Sequence, residues 1–323
     1  MLDNNLLIKQ ESATDKKYGC APEMREIKEY VRNGLINLDK PGGPTSHEVA
    51  AWVRNIFSTF GVNKAGHSGT LDPNVTGVLP SAIQNSVKII PALIRAPKEY
   101  VAIMRLHKPV SEGTIRATFK QFTGEITQMP PKMSGVKKRL RKRNIYNIKI
   151  LEIDGEDVLF RVGCEAGTYI RTLCVDFGKA LNMGAHMQEL RRTKAGTFVE
   201  TDSINLQAVK DAVETYIEKG DETELRRVVL PVEYGVRHLQ KIFIKDSAVS
   251  AVSNGAPLHV GGVSKLTDGI SANDMVAIMT LKGELVALGS AQMTSNQMLK
   301  SEKGIAAKIN RVILPAGLYP REW

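Results

Sequence analysis

One carboxylate in this sequence sits where it could do nucleophilic chemistry. Asp72 ends the run Gly66-His67-Ser68-Gly69-Thr70-Leu71-Asp72-Pro73, a segment too glycine-rich for the interior of a helix or strand. Gly66 and Gly69 permit positive φ and close backbone approach, so the loop can wrap a ligand while presenting the acid. Pro73 removes a backbone donor and pushes Asp72 out of the α region. An ionised aspartate so placed can hold a covalent intermediate. Local physics alone does not single out that chemistry, because Asp-Pro after a glycine pair is more often a plain turn.

A metal-dependent hydrolase using His67 and Asp72 is one alternative, and it fails on ligand count. The six histidines are scattered, and none has a second His or a Cys at ligand spacing. Cys20, Cys164 and Cys174 are odd in number and widely spaced, which suggests neither a disulfide framework nor a zinc site. Cys164 and Cys174 read as small core residues. No metal and no cofactor are expected.

Charge points to the partner. The chain carries 44 Lys+Arg against 34 Asp+Glu, and a net +10 favours polyanions through long-range field and counterion release. The surplus is clustered: Lys132, Lys137, Lys138, Arg139, Arg141, Lys142 and Arg143 fall in a stretch without an acid. A shorter run would read as a solvated face. Like charges this dense repel one another unless a polyanion is present, so these residues are expected to contact nucleic acid. Pro130-Pro131 and Gly135 place them on a mobile loop.

The elements that must position Asp72 can be read around it. Gly34–Pro41 is an alternating strand running into a turn at Pro41-Gly42-Gly43-Pro44. Thr45-Ser46-His47-Glu48 fits a capping box. Val49, Trp52, Val53 and Ile56 then form the buried stripe of an amphipathic helix, which makes Trp52 a core residue. Strands over 147–153 and 158–162 flank a turn at Asp154-Gly155. Residues 172–181 read as a helix opening just after Arg171 and stopping near Asn182 and Gly184. Interleaved strands and helices joined by hairpins indicate an α+β fold with an antiparallel sheet.

A chain of 323 residues is long enough for two domains, each with its own core. The second unit starts after Leu230-Pro231. There Asp246 is expected to cap a short helix, and strands over 275–280 and 284–290 to form a hairpin around Lys282-Gly283, within a small β-barrel. Residues 1–30 read as a polar surface extension. No signal pattern and no apolar run of transmembrane length is seen, so a cytoplasmic protein without membrane contact is expected.

The Gly66–Pro73 run, Lys98-Glu99-Tyr100-Val101, Gly167-Thr168-Tyr169-Ile170-Arg171-Thr172-Leu173 and Met187-Gln188-Glu189-Leu190-Arg191-Arg192-Thr193 together resemble the TruB/Cbf5 family of RNA pseudouridine synthases. The resemblance covers nearly all of residues 30–315. It implies an N-terminal extension (1–30) packed beside the C-terminal domain, a catalytic domain (31–237) of curved, mainly antiparallel sheet with flanking helices, and a tail (316–323). Residues 238–315 look like a PUA RNA-binding domain, although Gly261 stands where proline is common and Asn273-Asp274 where Gly-Asp is common. The resemblance makes Asp72 the nucleophile and Arg171 its partner, a fork that can hold a carboxylate charged. It puts Tyr100 against the extracted uracil and Leu190 against the base, while the two-residue spacing puts Tyr169 on the same side of a strand as Arg171, lining the pocket. Lys98 joins them as a substrate-binding residue. It gives His67 the space vacated by the flipped base, and it makes the basic run a loop that closes over RNA, with Met133-Ser134-Gly135 departing from the usual wording.

The resemblance implies isomerisation of uridine to pseudouridine in RNA. The archaeal form would be the catalytic subunit of an H/ACA guide-RNA particle, with rRNA targets and Nop10-like, Gar1-like and L7Ae-like proteins, and could also act on tRNA uridine 55 without a guide. A stand-alone tRNA enzyme is the runner-up. A catalytically idle RNA-binding scaffold would need none of Asp72, Tyr100 and Arg171.

Overall fold

The computed structural model describes residues 6–131 and 137–321. A large sheet runs in the order Leu230–Pro231, Gly34–Lys40, Thr76–Ile83, Ala185–Ala195, Lys98–Leu106, Asp157–Cys164, Arg141–Asp154, Gly124–Gln128. Neighbours along it are antiparallel except at one place. Thr76 and Gly77 pair in parallel with Arg191 and Arg192, and this short seam joins two antiparallel halves. Gly77 has φ 101°, and a Cβ there would stand 2.2 Å from the Arg192 carbonyl oxygen, so only glycine lets the halves close.

Strand 34–40 is buried along almost its whole length instead of alternating, because it lies between two neighbours inside the sheet. The helix that follows, Ser46–Ile56, opens with both bonds of the expected Thr45–Glu48 capping box. Its buried arc runs through Ser46, Val49, Ala50, Val53 and on to Phe57. Trp52 falls off the edge of that arc and is 44% exposed, which corrects its assignment to the core. Gly61 ends the segment at φ 73°.

A second sheet takes the order Leu6–Ile8, Val263–Thr267, Gln240–Ile244, Met275–Thr280, Leu285–Ala291, Ile305–Val312, Leu258–His259. Its first strand comes from the N-terminal extension: Leu6, Leu7 and Ile8 pair with Thr267, Leu266 and Lys265. The extension then crosses towards the large sheet, donating from Cys20 N to Glu284 and placing Arg25 on Glu233 at 2.7 Å. Asp246 is the first residue of helix Asp246–Ser253 and does not cap it. Its carboxylate instead accepts from Thr14 Oγ1 and the Asp15 N–H. Asn273 adopts φ 72°, the left-handed conformation that glycine or asparagine takes most readily.

Each sheet has an apolar core of its own, and a further cluster joins them: Leu35 and Val78, with Ile89 and Leu93 from the helical segment beside them, pack with Met279, Leu285, Leu288 and Ile313 of the second unit. Cys164 and Cys174 are buried, and burial pushes both thiols up to about 12. Among the described residues no helix is long and apolar enough to cross a membrane.

Candidate active site

Asp72 lies at the mouth of a segment that is only partly a loop. Ala65–His67 pair with Ser81–Ile83 as a short strand, correcting the reading of the whole run as loop. Gly66 leaves room for the tip of Ile90, whose Cδ1 would stand 2.5 Å from a Cβ there, whereas Gly69 supplies a positive φ of 126°. The turn carrying Asp72 is held from three sides. Ser46 Oγ brackets the peptide of Leu71, accepting from its N–H at 2.9 Å and donating to its carbonyl at 3.0 Å. The Lys40 ammonium, with no exposed surface, donates to the carbonyls of Pro41, Pro73 and Val75 at 2.8–2.9 Å. Burial lowers the Lys40 pKa, and the nearby Asp72 carboxylate counters that. Arg192 Nη2 donates to the Gly69 carbonyl at 3.2 Å.

The carboxylate of Asp72 itself stays open. Arg171 Nη2 donates to Asp72 Oδ2, and the two side chains remain 48% and 56% exposed, so a ligand can reach the pair. Arg171 is the second residue of helix Ile170–Ala180, which begins two residues earlier than expected. Tyr169 is therefore the N-cap of that helix and does not share a strand face with Arg171. The helix start overrides the strand reading because the chain turns at Gly167, φ 80°.

Tyr100 and Leu190 sit on adjacent strands, where Tyr100 pairs with Arg192 and Ala102 with Leu190. Both side chains pack partly buried against the core clusters of the two halves, which puts them over the seam. Arg192 is 1% exposed and pairs with no carboxylate among the described residues; its guanidinium bonds the Val78 carbonyl at 2.7 Å and the Gly69 carbonyl, and it lies beside Tyr100. Burial raises the Tyr100 pKa while Arg192 pulls it back, which keeps the phenol protonated at neutral pH. Arg192, Lys40 and Ser46 were not picked out as site residues. Their only signal was position: Arg192 beside Leu190, Lys40 and Ser46 flanking the Pro41–Pro44 turn.

His67 packs edge-on against His47, ring centroids 4.9 Å apart, and its Nδ1 faces the Gly69 N–H at 3.4 Å. Burial, with His47 and then Arg192 adding to it, drops its pKa to about 4, so the imidazole is neutral at pH 7. Among the described residues no group of three or more His, Cys, Asp or Glu could hold a metal ion. Lys98 requires a correction. Its ammonium is buried and donates to the carbonyls of Leu93, Ile94 and Ala96 at 2.7–2.9 Å, closing the end of helix Ile90–Arg95. All three of its protons are used, leaving none for a substrate.

The basic run divides. Lys137, Lys138 and Arg139 are exposed outside regular structure, while Lys132 lies outside the described residues. Arg141, Lys142 and Arg143 belong to strand 141–154, paired with strand 124–128, not to a loop. Two of the three also have counter-charges that their local sequence lacks: Glu125 lies 2.8 Å from Lys142, and Glu165 lies 3.7 Å from Arg143. Pairing across the strand and turn supplies what the one-dimensional run does not.

Known proteins place the chain. Residues 57–170 match the N-terminal domain of the TruB family of pseudouridylate synthases, and 171–237 the C-terminal domain of tRNA pseudouridylate synthase B. Residues 240–313 match the PUA domain and 2–50 the DKCLD domain. A probable tRNA pseudouridine synthase B of Methanopyrus kandleri is 54% identical over 99% of this chain and 94% of its own. The structure of a Cbf5-Nop10-Gar1 complex contains a chain 52% identical, with a TM-score of 0.94, covering 98% of this chain and 95% of that one. An H/ACA RNP bound to a substrate RNA containing 2'-deoxyuridine contains another, 50% identical with a TM-score of 0.91, covering 98% and 97%. This chain belongs to the TruB family of pseudouridylate synthases, the RNA isomerases.

Proposed function

We propose that this protein isomerises specific uridines of RNA as the catalytic subunit of an H/ACA guide-RNA particle, and acts on tRNA as well, with Asp72 as its nucleophile. The reaction breaks the N1–C1′ glycosidic bond, turns the uracil and rejoins it through C5, from which a proton departs. No electron is gained or lost overall. Asp72 holds the intermediate covalently. Arg171 keeps the carboxylate ionised and aimed, and Tyr100 stacks on the uracil lifted from its helix and moves a proton as C5 regains its double bond. Tyr169 and Leu190 line the pocket, and neutral His67 fills the space that the base leaves. Lys137, Lys138 and Arg139 bind phosphate, with Lys132, Arg141, Lys142 and Arg143 extending that contact.

The observation that carries this reading is the Arg171–Asp72 pair, held on the seam yet open to a ligand. The solved relatives support a particle with Nop10-like and Gar1-like partners, to which we add an L7Ae-like protein, with rRNA selected by the guide. The relatives named for tRNA support the second substrate. The division into an extension (1–30), a catalytic domain (31–237), a PUA domain (238–315) and a tail is part of the same proposal.

The test is tritium release from RNA carrying [5-³H]uridine. The protein alone should release tritium from a tRNA transcript, and from an rRNA fragment only when guide RNA and the partner proteins are added. Asp72→Asn should abolish release from both, by more than about a thousandfold, while RNA affinity stays within about twofold. Turnover by Asp72→Asn within tenfold of wild type would remove the nucleophile from this account.

A further inference from the structure

Helix 170–180 carries Arg171 in its first turn, yet it has no side-chain cap of its own. An uncapped helix start leaves its first peptides to be fixed by something else. Gln128, the last residue of strand 124–128 and 1% exposed, fixes them here. Its Oε1 accepts from the Tyr169 N–H at 3.0 Å and its Nε2 donates to the Tyr169 carbonyl at 3.1 Å. The carboxamide thus grips both polar groups of the N-cap residue, as a rung of an antiparallel ladder would. The same carbonyl accepts the first helical bond, from Leu173 N at 2.9 Å.

The turn leading into that N-cap is braced on the adjacent strand. Glu165 N donates to the Asn144 carbonyl at 2.8 Å, and the Asn144 N–H returns a bond to Glu165 Oε2 at 3.0 Å. The Arg143 guanidinium lies so close to Gly167 that a Cβ there would meet Nη2 at 3.1 Å. The position of Arg171 is therefore set by the last rungs of the sheet, through two residues of backbone.

We propose that Gln128 is a positioning residue for the isomerisation, acting on Arg171 through the backbone of Tyr169. The inference rests on the reading that Arg171 aims Asp72. A long side chain amplifies any shift at its root, and misplacing a catalytic group by about 1 Å can cost a hundredfold in rate. Glutamine suits the place because its planar amide offers one donor face and one acceptor face together. Methionine keeps the length and loses both bonds. Glutamate keeps the acceptor and sets an oxygen against the Tyr169 carbonyl.

The experiment is a double-mutant cycle on the full chain, read as the single-turnover rate of tritium release from a saturating tRNA transcript with [5-³H]uridine. Q128M should slow the step by about tenfold or more, with tRNA affinity within about threefold of wild type. The double variant Q128M/R171K should be no more than about twofold slower than R171K, because groups acting through one another do not add. Wild-type rates for Q128M, or losses that multiply in the double variant, would overturn the proposal while leaving the role of Arg171 intact. An unimpaired R171K would sink that role first, and the proposal with it. Should Q128M melt below the assay temperature, Q128E carries the same cycle. Unfolding of both would overturn the proposal, since the carboxamide would then serve the fold alone.

Discussion

Arg171 and Asp72 lie 99 positions apart in the chain and touch in the fold. Asp72 leads into strand 76–83 on one side of the parallel seam, and the helix bearing Arg171 packs against strand 185–195 on the other. The pair therefore forms only when the two antiparallel halves are closed on each other, and Arg192 lies at the closure, bonded to the Gly69 turn and beside Tyr100.

Arg171→Lys keeps the charge and loses the planar fork. We expect single-turnover isomerisation to fall about a hundredfold with tRNA affinity changed by less than about threefold. Rates near wild type would mean that charge alone is needed at Asp72.

Lys98→Met should act on stability instead of substrate. Removing the ammonium takes a donor from three carbonyls at the end of helix 90–95, of which Leu93 keeps the Ala96 N–H, a loss of about 2–3 kcal/mol. Burial pushes the amine down towards 7, but the three acceptors favour its charged form. Thermal melting should drop while tRNA affinity at a permissive temperature stays unchanged; weaker binding there without a lower melting point would return Lys98 to the substrate site.

His67 sets a pH dependence. Its pKa is about 4 folded and near 6.5 unfolded, so between those values the unfolded chain binds the extra proton. Stability from this group is complete above pH 6.5 and is lost as pH falls towards 4, by about 3 kcal/mol at most. Urea titrations of His67→Asn from pH 7 to 4.5 should give a shallower decline than wild type. Burial also depresses His238, so the variant should flatten the curve only in part. A decline identical to wild type would show that His67 is not buried in the neutral form.

The three exposed cations Lys137, Lys138 and Arg139 should bind phosphate more strongly than Lys142 or Arg143, which already have acidic neighbours. Replacing all three with alanine should weaken tRNA binding and reduce the log–log salt slope by about 2–3. A Lys142→Ala/Arg143→Ala double variant should change it by less than about 1. Equal slopes for the two variants would show that the strand pairs open when RNA binds.

The sequence by itself determined the local devices and the chemistry that they carry. The Thr45–Glu48 box and the turns at Gly155 and Gly283 depend on contacts within a few residues, so a linear reading reaches them. The motif wording did the rest, because the family relationship runs along nearly the whole chain. What the tertiary structure alone decided are the partners brought from far along the chain. Lys98 has the same type and spacing whether its ammonium faces a substrate or a helix end, and only the placement of helix 90–95 settles that it closes the helix. Glu125 and Glu165 pair with Lys142 and Arg143 in a run that looks unpaired in one dimension. Trp52 misses the core because the burial of a helix face is set by the sheet beneath it, while periodicity alone tolerates a stripe shifted by one side chain. Arg192 is the sharpest case: a charge beside another arginine reads as surface, and only the close parallel seam at Gly77 buries it against Tyr100 and the Asp72 turn.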